Sequence, residues 1–350
     1  EFSAFLATEV RAGSDYVLVG RALPAEGGQI GYEFELLNLL NGQRLLAERV
    51  VVAASQQRFG AHRIADRVYE SILGVRGAFA TRIAYVSVDG APPRQRFQLI
   101  VADADGEGAR VILESGQPIM SPAWSPDGDW LAYVSFEARV AAVYVQRLRT
   151  GERRRVSARA GINGAPAWAP DGQRLALTLS GSAGNPDIYV LELATQKLTR
   201  VTDDPGIDTE AAWAPDGSAL FFTSDRSGGP QVYRIGLAGG ERPKRVTFAG
   251  GYNARPRISP DGTQLAFVTL EGGGYRVAIQ DLANGASRVL SRGRFDESPA
   301  FAPNGALLIY AGRERGQGTL ATVSADGLIT QRLKADRGEV REPAWGPLPR

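Results

Sequence analysis

The chain has 350 residues, of which 43% are hydrophobic, with 40 basic and 38 acidic side chains, one histidine and no cysteine. That length allows a large core, while the near balance of charge, with no basic stripe interleaved with aromatics, gives no footing for nucleic acid. The missing cysteine excludes disulfides, thiolate catalysis and cysteine-held metals, and no window approaches the roughly 18 apolar residues of a membrane helix.

The start at Glu1-Phe2-Ser3-Ala4-Phe5 carries no signal peptide and reads as mature or trimmed. Residues 2–11 are predicted as a short helix or the tail of one, closed by Gly13. Three alternating or apolar runs follow at residues 16–23, 30–37 and 45–52, with Glu26-Gly27-Gly28 and Asn41-Gly42 as turns between them, which predicts a three-stranded meander. Over residues 55–73 the apolar positions Phe59, Ile64, Val68, Ile72 and Leu73 form a helical stripe ended by Gly74. Residues 1–76 therefore read as a small α+β domain. His62 lies on its helix beside Arg63, without a second ligand or a nucleophile nearby in sequence, and reads as structural or exposed.

Gly74-Val75-Arg76-Gly77-Ala78-Phe79 reads as a hinge, and beyond it the chain repeats itself. Ser121-Pro122-Ala123-Trp124-Ser125-Pro126-Asp127-Gly128 returns as Ala165-Pro166-Ala167-Trp168-Ala169-Pro170-Asp171-Gly172 and as Ala211-Ala212-Trp213-Ala214-Pro215-Asp216-Gly217. Looser copies end in Pro260-Asp261-Gly262 and Pro303-Asn304-Gly305, and a last one is Pro343-Ala344-Trp345-Gly346-Pro347. The acidic or amide position recurs at intervals of 44, 45, 45 and 43 residues, the period of a four-stranded propeller blade. Pro, Asp and Gly in order are type I turn chemistry, with Gly accepting the left-handed conformation. Each turn is followed by an apolar strand such as Leu131-Ala132-Tyr133-Val134-Ser135. The slot three residues before the Asp holds Trp124, Trp168, Trp213, Ile258 or Phe301, where sheets packed face to face need a bulky wedge.

Post-turn strands number six, counting Ile83-Ala84-Tyr85-Val86-Ser87, and so do Trp-type strands, counting Glu342-Pro343-Ala344-Trp345. In the simplest closure the C-terminal strand completes the first blade and removes a free edge. The expectation is a mainly β protein, a six-bladed β-propeller over residues 77–350 preceded by the α+β domain. Arg153-Arg154-Arg155 falls on an outer strand and reads as a solvated edge that discourages strand pairing.

Signs of catalysis are missing. There is no Gly-x-Ser-x-Gly elbow, Gly181-Ser182-Ala183-Gly184 has the wrong spacing, and a lone imidazole outside the repeats argues against a Ser-His-Asp triad or a histidine metal site. No enzyme activity and no cofactor are expected. Asp127, Asp171, Asp216 and Asp261 could form a carboxylate ring, but their place in the turn favours local backbone bonding. More telling are polar residues where the chain enters each Trp strand: Ile162-Asn163-Gly164, Asp208-Thr209-Glu210, Tyr252-Asn253-Ala254-Arg255, Phe295-Asp296-Glu297 and Val340-Arg341-Glu342. Glu210, Glu297 and Glu342 read as one repeat position, which on successive inner strands would make an acidic mouth to a central channel. Either these are ordinary solvated strand ends, or they form a docking funnel for a partner, assisted by a hard, calcium-like cation held on their oxygens. The competing readings are the accessory domain of a serine peptidase-like hydrolase and a small-ligand-binding propeller.

Gly77-Ala78-Phe79 with Thr81-Arg82-Ile83-Ala84-Tyr85-Val86, the Met120 to Gly128 phrase, Asn163-Gly164-Ala165-Pro166-Ala167, Thr223-Ser224-Asp225-Arg226 and Asp296-Glu297-Ser298-Pro299 together resemble the TolB family, periplasmic propellers of the bacterial Tol-Pal system. The resemblance runs from about Asp15 to the C-terminus. It implies a six-bladed propeller behind an α+β domain, no enzymatic activity, a periplasmic location, and binding of the peptidoglycan-associated lipoprotein Pal at the channel mouth. It also implies that a flexible N-terminal segment engages TolA, coupled allosterically to Pal. Outer-membrane integrity, constriction during division and the import of colicins through their translocation domains are the processes it suggests. The signal peptide, the TolA-binding segment and the front of the α+β domain are absent from this sequence. By position, Ile162, Asn163, Ala165, Thr209 and Glu210 match the family's Pal-contacting loops, with Ile162 standing where the family often carries a polar residue.

Overall fold

The computed structural model describes residues 13–181, 184–334 and 338–349; the helix expected over residues 2–11 and the Ser182-Ala183 pair lie outside them. The backbone separates into two units, Glu1–Ala80 and Thr81–Arg350.

In the first unit, β1 (Tyr16–Ala25), β2 (Gln29–Asn38) and β3 (Arg44–Ala53) form an antiparallel meander, followed by α1 (Gln57–Leu73). Alternation along the strands turns Phe34, Val50 and Val52 inward, where they pack with Tyr32, Leu46 and Ile64 of the helix stripe. The helix stops at Gly74, whose φ of 71° is the left-handed cap that glycine favours. The unit ends four residues beyond the expected boundary because the hinge is tied to the helix. The N–H groups of Phe79 and Ala80 donate to the Asp66 carboxylate at 2.6 and 3.2 Å, and the Phe79 ring meets Tyr69 edge-on at 5.6 Å.

The second unit is six four-stranded antiparallel sheets. Their inner strands are Glu339–Trp345 in blade 1, Ile119–Trp124 in blade 2, Asn163–Trp168 in blade 3, Asp208–Trp213 in blade 4, Asn253–Ile258 in blade 5 and Glu297–Phe301 in blade 6. Blade 1 combines this C-terminal strand with Arg82–Asp89, Arg96–Asp103 and Arg110–Ser115. Each inner strand touches the next, and that of blade 6 touches that of blade 1, so the ring closes.

Two repeated devices hold it. At the turns, Gly128, Gly172, Gly217, Gly262 and Gly305 take φ between 68° and 76°. The Asp ahead of the first four accepts the N–H two residues on, at 3.0 Å for Asp127, 2.8 Å for Asp171, 3.0 Å for Asp216 and 3.1 Å for Asp261, and Asn304 does the same ahead of Gly305 at 3.1 Å. These carboxylates close turns and form no ring. Between blades, the indole of Trp124 donates to the Ala344 carbonyl of blade 1 at 3.2 Å, and that of Trp213 to Ala167 of blade 3 at 3.0 Å. Arg82 and Arg174 cover the same two rings at 5.1 and 4.9 Å. The wedge thus fills the gap and also bonds across it.

Candidate functional site

Every inner strand breaks its ladder once, near the end where the chain enters it. The extra residue is Glu342, Ser121, Ala165, Glu210, Arg255 or Ser298 in blades 1 to 6, and each takes a left-handed φ between 43° and 57°. Proline follows in five of the six and disfavours the right-handed helical region for the residue before it. For residues other than glycine such a conformation costs roughly 1–3 kcal/mol apiece, so the ring sustains this strain six times over. Three of the freed N–H groups are taken up by the neighbouring blade: Thr178 Oγ1 accepts from Glu210 N at 3.2 Å, Thr223 Oγ1 from Arg255 N at 3.0 Å, and the Glu342 carboxylate from Ser121 N.

The six residues surround one narrow cavity of about 40 Å³, which makes them the lining of the channel. Arg255 fills much of it. Its Nε lies 2.8 Å from Glu210, its Nη1 lies 3.8 Å from Glu297, and Nη1 also donates to Ser298 Oγ. Desolvation works against the charge on Arg255, but Glu210, Glu342 and Glu297 outweigh it and raise its pKa above the ordinary value. Arg257, two residues further along the same strand, is shifted the other way by burial. The acidic mouth expected from sequence is therefore corrected to a charge-compensated plug. Glu297 does not share the position of Glu210 and Glu342; it stands one residue earlier, level with Thr209 and Arg341, and Ser298 takes the left-handed place. Among the described residues the three glutamates do not converge as a cage for one ion.

Two hollows flank the plug on the mouth face. The larger, about 650 Å³, opens over blades 2 to 4 and is lined by Met120, Phe136, Val140, Ile162, Ala165, Thr209, Glu210 and Glu342. Met120, Val140 and Ile162 are 39%, 59% and 44% exposed, an apolar rim on an otherwise polar surface. The smaller, about 320 Å³, joins blades 6 and 1 around Phe295, Glu297, Arg341 and Glu342. There Glu339 bridges Arg313 at 2.7 Å and Arg341 at 2.9 Å.

Of the ten residues singled out in the sequence, Ile162, Asn163, Ala165, Thr209, Glu210 and Glu342 meet at the larger groove, and Glu297, Arg341 and Glu342 at the smaller hollow. Asp208 and Asn253 line neither. They and Asn163 hold one repeat position, at most 1% exposed, and they build loops. Asn163 bonds Ser157, Arg159 and Gly161. Asp208 takes the Arg226 guanidinium on both oxygens at 2.9 and 2.7 Å, with burial raising its carboxyl above the ordinary value. Asn253 donates to Gln231 at 2.8 Å and to Ala249 at 2.7 Å. Sequence reasoning passed over Arg255, Met120 and Val140. Arg255 had a visible signal, a cation level with Glu210 of the preceding repeat, whereas Met120 and Val140 look like ordinary strand-end aliphatics.

Fold and site together define a six-bladed propeller whose mouth presents a shaped, partly apolar groove beside a plugged channel. Residues 69–349 match the model of the TolB beta propeller domain. The chain is 60% identical over 335 residues to the Tol-Pal system protein TolB of Methylococcus capsulatus, covering 96% of this chain and 78% of that protein. It is 59% identical over 339 residues to that of Alcanivorax borkumensis, covering 96% and 77%. The crystal structure of TolB from Acinetobacter baumannii superposes with a TM-score of 0.93 at 43% identity, covering 98% of this chain and 86% of that one. This chain belongs to the TolB family of Tol-Pal system proteins.

Proposed function

We propose that the chain is a periplasmic protein-binding adaptor of the Tol-Pal system that holds Pal in the mouth groove, with an N-terminal segment outside these residues engaging TolA. In this role it supports outer-membrane integrity and constriction during cell division, and colicin translocation domains are further partners. It binds and performs no chemistry. The observation that supports this most is the groove itself: exposed Met120, Val140 and Ile162 ring a 650 Å³ hollow whose floor carries the left-handed backbone of Ala165 and Glu210, the latter bonded to Thr178 of the neighbouring blade. Exposed aliphatics on a preorganised base are what a protein partner needs, since little ordering remains to be done on binding.

The test is calorimetric titration of the soluble domain of Pal. Thr209→Arg and Ala165→Asp fill the floor of the groove and are expected to weaken binding about 100-fold, some 2.7 kcal/mol, with melting temperatures near that of the parent. Unchanged affinity in both variants would place the Pal site elsewhere.

A further inference from the structure

Blade 2 carries a charge asymmetry that neither the groove nor the fold explains. Residues 137–159 hold seven arginines against two glutamates, so this stretch has a net charge of 7 − 2 = +5 where the whole chain has +2. Both glutamates are engaged. Glu137 pairs with Arg153 at 2.5 Å, and Arg153 lies over the Tyr144 ring at 3.8 Å; Glu152 sits 3.6 Å from Arg154, which covers Trp130 at 4.8 Å. Two members of the Arg153-Arg154-Arg155 run are thus packed against aromatics. Arg155, on the outer strand Arg153–Ser157, is exposed, and so are Arg139 and Arg159, which stand at the lip of the groove beside Val140 and Ile162. Among the described residues none of these three has a carboxylate within 4.0 Å. On other outer strands, Arg200 in blade 3 is neutralised by Asp187 and Asp203 and Arg332 in blade 6 by Glu314, while Arg245 in blade 4 and Arg288 in blade 5 donate to the carbonyls of Thr247 and Ala325.

One charge suffices to blunt a sheet edge. Guanidinium groups without a carboxylate partner, leading from the lip of a docking groove onto the adjoining edge, sum to a positive field that favours an anionic partner, more strongly at low salt. We propose that the docking partner is acidic where it meets blade 2: an apolar residue seats in the mouth groove, and carboxylates beside it engage Arg139, Arg159 and Arg155. This rests on the reading of the mouth as a protein-docking site and adds the chemistry of what docks. Planar guanidinium groups take carboxylates in paired hydrogen bonds, and their combined field speeds encounter more than it slows escape.

The experiment is stopped-flow association of the soluble domain of Pal across a salt series. For the parent chain, the association rate is expected to fall about tenfold from low to high salt. The Arg155→Glu/Arg159→Glu double variant should lose about tenfold at low salt, show a flattened salt dependence and keep its dissociation rate, while Arg332→Glu behaves as the parent. Melting temperatures check that the variants are folded. A double variant that associates like the parent at every salt concentration would overturn the proposal. So would arginine-dependent binding to phosphatidylglycerol vesicles with Pal association unaltered, which would assign the surface to lipid. A parent chain that does not bind Pal at all would instead overturn the docking reading beneath it.

Discussion

At the turn end of the blades, Asp127, Asp171, Asp216 and Asp261 each hold the N–H two residues further on, and the same residue types recur because the same bond is made. At the mouth end, Ser121, Ala165, Glu210, Arg255, Ser298 and Glu342 share a left-handed backbone and almost no side-chain chemistry. The first end needs its side chains to fold. At the second, three of the six backbones are held by the neighbouring blade, through Thr178, Thr223 and the Glu342 carboxylate, and apart from Glu342 the six side chains are free to differ. That freedom lets one side of the ring become an apolar groove and the other a charged hollow.

The contrast breaks most severely if the ring is opened. Removing residues 339–350 deletes the inner strand of blade 1 and the 2.8 Å bond from the Trp345 indole to Thr81 Oγ1. Both ends of every blade should then fail together, with melting followed by circular dichroism more than about 10 °C lower; an unchanged transition would mean that the ring does not depend on its closing strand. Next in size is Asp208→Ala, which leaves the largely buried Arg226 guanidinium with Ser224 and only the more distant Asp204 carboxylate at 3.7 Å, and is expected to cost about 3 kcal/mol in urea titrations. Pal affinity of the folded fraction should stay the same, because Asp208 shapes the entrance to the strand and Thr209, its neighbour, faces the groove; a loss of affinity matching that of Thr209→Arg would erase the distinction.

Gly161→Ala should do the converse. Gly161 has a φ of 91°, and a Cβ there would stand 2.1 Å from Ser180 Oγ, the atom that accepts the Ile162 N–H at 2.7 Å. Moving that hydroxyl displaces Ile162, so Pal binding is expected to weaken about tenfold with a stability change of roughly 1–3 kcal/mol. Calorimetry showing parental affinity would remove Ile162 from the site.

The smallest effect lies at the turns. The Ser259 hydroxyl, 2.5 Å from Asp261, and the Thr263 N–H and hydroxyl hold the Asp261 carboxyl below its ordinary value. A depressed carboxyl contributes stability that is fully present above its unfolded pKa, near 4, and is lost as pH falls through its lower folded value. Asp261→Asn should cost about 0.5–1 kcal/mol at neutral pH and make the loss of stability below about pH 4 shallower, as read from urea midpoints across acidic pH. An acid limb identical to the parent's would show that the turn carboxylate is not held as described.

Much of this was legible in the chain. Turn chemistry at a fixed period and a bulky residue three positions ahead of each turn dictate four-stranded blades and their number, because these are local bonds and local volumes, repeated. The entrance loops were recognisable as the place of interest for the same reason, since they vary where all else repeats. Which of their residues face a partner was not legible. Ahead of each bulge the strand alternates faces, so that Asp208 and Asn253 turn inward and line neither hollow while Thr209, one position from Asp208, lines the groove. The offset of Glu297 from Glu210 and Glu342 is already in the chain, since it stands four residues ahead of Phe301 and they stand three ahead of Trp213 and Trp345. Whether a mouth carboxylate is free or paired depends on a cation from another blade: Arg255 reaches Glu210 from 45 residues downstream. The sequence by itself determined the repeating unit, whose bonds close within a few residues. Only the tertiary structure decided the charge and exposure of the mouth, because each side chain there is balanced by neighbours that the ring, and not the order of the chain, brings within reach.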